Sequence, residues 1–135
     1  EVARITSVGV MTLAGNNVIT GRSAANTDVQ ALTFAGITTL ADNDGTISSA
    51  YTPTPVGGNM KRIVNGGAFT LSSPTNTGDY TMVIQITNNV SAGAITLSGF
   101  SKTTGSAFTT TNGHDFFLYI TKCNGFTLAN VVALQ

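Results

Sequence analysis

A chain of 135 residues with 41% hydrophobic and only 9% charged side chains is long enough to bury a core of its own. It must stay hydrated through uncharged polar groups, and 23 Thr, 10 Ser, 12 Asn and 15 Gly fill 60 of the positions. Six basic and six acidic residues cancel, and the basic ones (Arg4, Arg22, Lys61, Arg62, Lys102, Lys122) are scattered, so neither nucleic acid nor a membrane is an expected partner.

Glu occurs once and Thr dominates, which leaves no stretch with the filler residues and three-to-four spacing of a long helix. Strands are expected near 5–13, 18–22, 29–35, 37–41 and 46–51. The Pro- and Gly-containing stretch 51–59 reads as a linker or a long crossing loop. A strand at 61–64 follows, then a turn at Asn65-Gly66-Gly67 and a return strand at 68–72 that Pro74 ends. Tyr80, Met82, Ile84 and Ile86 alternate with Thr81, Val83, Gln85 and Thr87, giving a strand with one apolar face. A further strand covers 94–98. Phe116, Leu118 and Ile120 alternate with Phe117, Tyr119 and Thr121, and Phe126, Leu128, Val132 and Leu134 share one face of the last segment. Cys123-Asn124-Gly125 between these two strands reads as a hairpin turn.

About ten short strands with frequent turns predict an all-β fold, a β-sandwich or jelly-roll of antiparallel sheets with an N-terminal β-rich arm. Of ten aromatic residues only Phe34 and Tyr51 precede residue 60. Residues 1–58 are accordingly assigned to an arm or shaft-like segment stabilised by neighbouring chains, or else to strands supplied to the same sandwich, and the sandwich to 59–135. A small motif recurs at Met11-Thr12-Leu13, Thr38-Thr39-Leu40, Phe69-Thr70-Leu71, Ile95-Thr96-Leu97 and Phe126-Thr127-Leu128, with intervals of 27, 31, 26 and 31 residues. Those intervals are too irregular to establish a solenoid, and the motif reads as in-out-in strand patterning.

No chemistry-bearing constellation stands out. His114 is the one histidine; its neighbour Asp115 points to the opposite side of a strand, so a loop position at a strand entrance is the expected role. A zinc site needs three or four Cys and His ligands, and the chain has one of each. Asp42-Asn43-Asp44-Gly45 opens like a calcium loop but lacks the later Glu and the flanking helices, and a tight turn between strands accounts for it. Asp28, Asp42, Asp44, Asp79 and Asp115 offer no obvious acid pair for glycoside hydrolysis. Cys123 has no partner for an internal disulfide and is expected to be a buried or half-buried thiol. Asn89-Val90-Ser91 fits the glycosylation triplet and reads as chance in so Asn- and Ser-rich a chain. No enzyme activity, cofactor or metal is expected.

No apolar run approaches the roughly 18 to 20 residues of a membrane helix, no basic-then-apolar leader opens the sequence, and Glu1 in place of Met is read as a processed chain or a fragment.

The run Ala68-Phe69-Thr70-Leu71-Ser72-Ser73-Pro74, then Met82-Val83-Ile84-Gln85-Ile86-Thr87-Asn88 and Ala92-Gly93-Ala94-Ile95-Thr96-Leu97-Ser98-Gly99-Phe100, resembles the C-terminal parts of tailed-bacteriophage virion proteins of the fibre, spike and head-decoration types. The likeness continues through Lys102-Thr103-Thr104-Gly105, Thr111-Asn112-Gly113 and Phe116-Phe117-Leu118-Tyr119-Ile120, and covers the chain from Lys61 onward. It implies a non-enzymatic structural protein on the particle surface, a homo-oligomer with a trimer favoured, attached to other capsid or tail proteins. It brings no catalytic residues. The alternative expectation is a receptor-binding module for cell-surface glycan, with contacts in the loops 42–51 or 101–115. A bacterial surface adhesin is a further one.

Overall fold

The computed structural model describes residues 41–56 and 58–135, which lie within the compact unit Thr38–Gln135. Strands predicted before residue 41 fall outside the described residues. Among the described residues there is no helix and there are eight strands: β1 (Asp42–Ile47), β2 (Met60–Asn65), β3 (Phe69–Ser72), β4 (Tyr80–Asn88), β5 (Ile95–Ser98), β6 (Lys102–Gly105), β7 (Asp115–Cys123) and β8 (Phe126–Ala133). They form a six-stranded sheet in the order β1-β2-β4-β7-β8-β6 and a two-stranded sheet of β3 and β5, which Tyr51 joins through a single bridge to Leu71.

The fold is all-β, but the antiparallel sandwich or jelly-roll expected from the sequence is not the arrangement found. β1 pairs with β2 and β2 with β4, both in parallel, while Tyr51 meets Leu71, and β3 meets β5, in parallel on the smaller sheet. The chain thus winds three times from the large sheet, around a corner, to the small sheet and back. Asn65-Gly66-Gly67 is one of those corners: β3 does not return beside β2 as a hairpin partner but crosses to the other sheet. The stretch 51–59 is likewise the crossing that leads back from Tyr51 to β2. Residues 42–51 therefore share both sheets with the strands that follow residue 59.

The winding accounts for two copies of the recurring motif, while Phe126-Thr127-Leu128 has the opposite parity with Thr127 inward and the copies at 11–13 and 38–40 lie outside the described residues. Phe69, Thr70 and Leu71 lie in register on Ile95, Thr96 and Leu97, so these two copies are stacked equivalents one coil apart. Phe69 and Leu71 point into the core and Thr70 and Thr96 out of it. After β5 the chain changes course. β6 takes the far edge of the large sheet beside β8, and β7 enters antiparallel between β4 and β8. The predicted β7–β8 hairpin is present, with both Asn124 (φ 49°) and Gly125 (φ 79°) at positive φ, the backbone of a two-residue turn whose twist suits the flanking strands.

Alternation decides what is buried. Met82, Ile84 and Ile86 of β4 and Phe116, Leu118 and Ile120 of β7 are buried and meet Phe69, Leu71 and Tyr51 from the opposite layer. In β8 the inward residues are Thr127, Ala129 and Val131. The face formed by Phe126, Leu128, Val132 and Leu134 is therefore the outer one. Phe108, from the connection before β7, closes the core edge-on against Phe116 with ring centroids 5.2 Å apart.

One polar pair sits inside. Asn65 and Asn88 end β2 and β4 in register and are 0% and 1% exposed. The Asn65 amide donates to Asn88 Oδ1 (2.9 Å) and to the Gly93 carbonyl (2.9 Å), and its oxygen accepts from the Gly93 and Gly67 amides (3.1 and 3.3 Å). All four of its bonding positions are used. Asn88 in turn donates to the carbonyls of Thr109 and Thr111. The corners fit tightly: a Cβ on Gly93 would stand 2.0 Å from the Ala68 backbone nitrogen. Removing the amide by Asn65→Ala leaves several buried groups unpaired at about 1–3 kcal/mol each. We expect a loss of about 2–4 kcal/mol in urea unfolding, against less than about 0.5 kcal/mol for Thr70→Ala on the exposed face.

Candidate functional site

The densest group of ionisable side chains among the described residues lies where β1 meets β2. Lys61 sits at the inward parity of β2, in line with Ile63 and Asn65, and is buried. A charge cannot stay there without partners, and β1 supplies them: Asp42, opposite Lys61 in the register, accepts from its ammonium at 2.8 Å, and an Asp44 oxygen lies 3.9 Å away. The other Asp44 oxygen accepts from the Tyr51 hydroxyl at 2.5 Å. Asp42-Asn43-Asp44-Gly45 is thus not the tight turn expected but part of an edge strand, with its register shift between Asn43 and Gly45. The bulge lets both Asp42 and Asp44 reach Lys61. The position a divalent cation would take beside these two carboxylates is occupied by the lysine ammonium.

Burial pushes the Tyr51 phenol far above its ordinary value, helped by the hydrogen bond to Asp44 and by that residue's charge. Tyr80 is also raised by burial, partly offset by the nearby Ser73 hydroxyl. The Tyr80 hydroxyl is enclosed without a partner in hydrogen-bonding geometry.

The other residues singled out in the sequence are dispersed. His114 does precede a strand, and its Nδ1 lies 2.9 Å from the Thr109 hydroxyl, while Asp115 accepts from the Thr87 hydroxyl on β4. Histidine and aspartate therefore serve different neighbours. Asp79 accepts from the Asn124 amide and fastens the β7–β8 turn. Asp28 lies outside the described residues. Cys123 is exposed, not buried or half-buried as expected, because it ends β7 at the outward parity beside the turn. Asn89 Oδ1 accepts from the Ser91 amide at 2.7 Å in a local turn. No group of three or more His, Cys, Asp or Glu side chains that could hold a metal ion occurs among the described residues.

Open grooves mark the surface of the described residues. One of about 340 Å³ crosses the small sheet at Ser49, Phe69, Thr70 and Thr96. One of about 320 Å³ lies between β5 and β6, where Thr103, Thr104 and Ser106 adjoin Phe108. The third, of about 350 Å³, runs over the outer face of β2 and β4 past Arg62, Gln85 and Thr87. None contains a nucleophile paired with a base. Lys61, Tyr51 and the two buried asparagines are what sequence reading missed. Parity would have found Lys61, since it lies two residues from Ile63 on the same side of the strand.

Comparison with protein-family models, with curated proteins and with solved structures gave no match.

Two outcomes follow. Replacing both counterions, as in Asp42→Asn with Asp44→Asn, leaves Lys61 buried and unpaired and is expected to cost about 3 kcal/mol, whereas Lys61→Met stays within about 1 kcal/mol of the native protein; urea melts at pH 7 compare them. Because the folded Tyr51 pKa is raised above its ordinary 10.0, its contribution is complete below that pH. As pH climbs past 10.0 the unfolded chain ionises first and stability falls. Tyr51→Phe should flatten this alkaline slope in melts recorded from pH 8 to 11.

Proposed function

We propose that this chain is a non-enzymatic structural component of a phage particle surface, of the capsid-decoration or fibre and spike kind, that assembles with itself and with other virion proteins. The carrying observation is the winding itself: coils stacked in parallel, each resting on the next through backbone bonds, stacked motif copies and a buried amide pair. We read it as a short β-solenoid. Such stacks draw their stability from neighbouring coils and extend along one direction, which suits a shaft, spike or surface projection. The chain's near-zero charge and its Thr-, Ser- and Asn-rich composition support burial against further subunits at modest desolvation cost. The dense ionic cluster found among the described residues, at Lys61, is consumed by internal pairing, so a structural role accounts for it and no reaction is needed. A trimer is favoured by the resemblance to virion proteins noted from Lys61 onward.

A second reading, a receptor-binding module for cell-surface glycan, is favoured by the groove that sets the hydroxyls of Thr103, Thr104 and Ser106 beside Phe108, since sugars are bound by hydroxyl hydrogen bonds together with apolar ring faces.

Light scattering after gel filtration, followed by co-sedimentation with phage particles, tests the leading reading. Oligomers that persist on dilution and pellet with particles are expected. A stable monomer at micromolar concentration that ignores particles would overturn it, and selective retention on a glycan array would move the assignment to the second reading.

A further inference from the structure

The sequence holds three Asn-Gly dipeptides, Asn65-Gly66, Asn112-Gly113 and Asn124-Gly125. A glycine has no side chain to keep its backbone nitrogen away from the amide carbon of the asparagine before it. Once that nitrogen loses its proton to solvent it can attack the asparagine Cγ. The dipeptide is the same at all three places, so the fold decides which of them reacts. At Asn65 the side chain is wholly buried with its four bonding positions used, and the Gly66 N–H donates to the Ile47 carbonyl at 2.9 Å. A Cβ on Gly66 would stand 2.3 Å from the Thr46 methyl, so the backbone there has no room to turn. Asn112 is exposed, but the Gly113 N–H donates to the Asn88 carbonyl at 2.9 Å and the His114 N–H to the Thr111 carbonyl at 3.2 Å. Asn124 differs from both. It is exposed at the tip of the β7–β8 hairpin, and the Gly125 N–H has no hydrogen-bond acceptor among the described residues. A Cβ added to Gly125 meets nothing within 4 Å. The dipeptide is restrained only by the closing pair Cys123–Phe126 and by the bond from the Asn124 N–H to Asp79.

We propose that Asn124 is a site of spontaneous deamidation, with water as the co-reactant, and that the fold protects Asn65 and Asn112 from the same reaction. The deprotonated Gly125 nitrogen forms a bond to Asn124 Cγ, the Cγ–Nδ2 bond breaks, and Nδ2 takes up a proton and leaves as ammonia. Water then adds to one of the two carbonyl carbons of the five-membered imide and reopens it. Addition at Cγ gives ordinary aspartate; addition at the backbone carbon gives isoaspartate, whose main chain runs through Cβ and is one atom longer. The net change replaces NH2 by OH and creates a carboxylate in a chain whose formal net charge is zero. That charge lies beside Asp79, whose Oδ1 is 3.0 Å from the Asn124 backbone nitrogen, and like charges this close repel. The isoaspartate form also lengthens a turn whose φ angles of 49° and 79° suit two ordinary residues. Either product loosens the end of the hairpin. The chemistry belongs to the turn itself and is independent of the role proposed for the protein.

The experiment incubates the full 135-residue chain in mildly alkaline buffer, folded in one series and unfolded by urea in the other, and reads tryptic peptides by tandem mass spectrometry. Cleavage after Arg62, Lys102 and Lys122 puts Asn65, Asn112 and Asn124 on separate peptides. In the folded chain Asn124 should convert at least about fivefold faster than Asn112, the factor that one further hydrogen bond at the attacking nitrogen supplies. Asn65 should stay intact over the same period. In urea the three rates should become alike, which assigns the difference to the fold. Conversion of Asn65 or Asn112 as fast as Asn124 in the folded chain would overturn the proposal. So would a folded Asn124 that stays intact while the urea-treated one converts. The loosening of the turn is read from Asn124→Asp at low ionic strength, where the urea midpoint should fall below the native value. Adding Asp79→Asn should restore it, because an amide oxygen at 79 accepts the same N–H without the charge. Equal midpoints for the native and Asn124→Asp chains would overturn the loosening.

Discussion

The amide pair Asn65–Asn88 is the constraint on which the rest of the described structure depends. A parallel strand pair cannot be closed by a tight turn, so each coil must leave the sheet through a corner whose backbone groups would otherwise be buried unpaired. Asn65 answers this directly by bonding to Gly67 in its own coil and to both backbone groups of Gly93 in the next. Asn88 extends the chain of amides to the carbonyls of Thr109 and Thr111. The corner thereby fixes the height of one coil above another, and with it the register of β2 on β4 and of β3 on β5. Buried polar networks specify a single arrangement when every member is satisfied, and Asn65 is fully satisfied.

From that register the two ends of the coils acquire different chemistry. At the corner end polarity is settled by neutral amides. At the opposite end, where β2 begins, it is settled by the ion pair of Lys61 with Asp42 and the link through Asp44 to Tyr51. Between them the interior is aliphatic and aromatic, with Ile63, Ile84, Ile86 and Leu71 almost wholly buried. Both polar clusters join adjacent coils, so each opposes a slip of one coil along the next as well as contributing energy. A slip of one residue would turn Ile63 and Ile84 outward and bring Arg62 and Gln85 in.

Much of the local structure was legible in the sequence, and the global winding was not, for a definite reason. Alternation in Tyr80–Asn88 and Asp115–Cys123 gave the strands and their buried faces correctly, and Cys123-Asn124-Gly125 gave the hairpin. Alternation, however, is the same for parallel and antiparallel neighbours, and Asn65-Gly66-Gly67 has the composition of a hairpin turn while serving as a corner. The sign of parallel stacking was present in Phe69-Thr70-Leu71 and Ile95-Thr96-Leu97, but a single in-register pair among unequal intervals cannot be told from chance. In the site, Lys61 was read as one of several scattered bases, because its partners on β1 lie about twenty residues earlier and are brought to it only by parallel pairing. β6 went unread because Lys102-Thr103-Thr104-Gly105 is exposed throughout and has no apolar alternation to announce it.

The placement of β6 has a bearing on the order in which the chain can be completed. Among the described residues its four residues have β8 as their only strand neighbour in the sheet, and β8 follows β6 in the chain by more than twenty residues. During synthesis the coils of β1 to β5 can stack as they emerge, but β6 lacks its β8 partner until β8 has been made and β7 has reversed the chain beside β4. Closure of the large sheet is therefore a late and non-local step, carrying the loop-closure entropy of a chain segment longer than twenty residues. The outer face shared by β7 and β8 comes into being in that same step, so it exists only once both strands have been made.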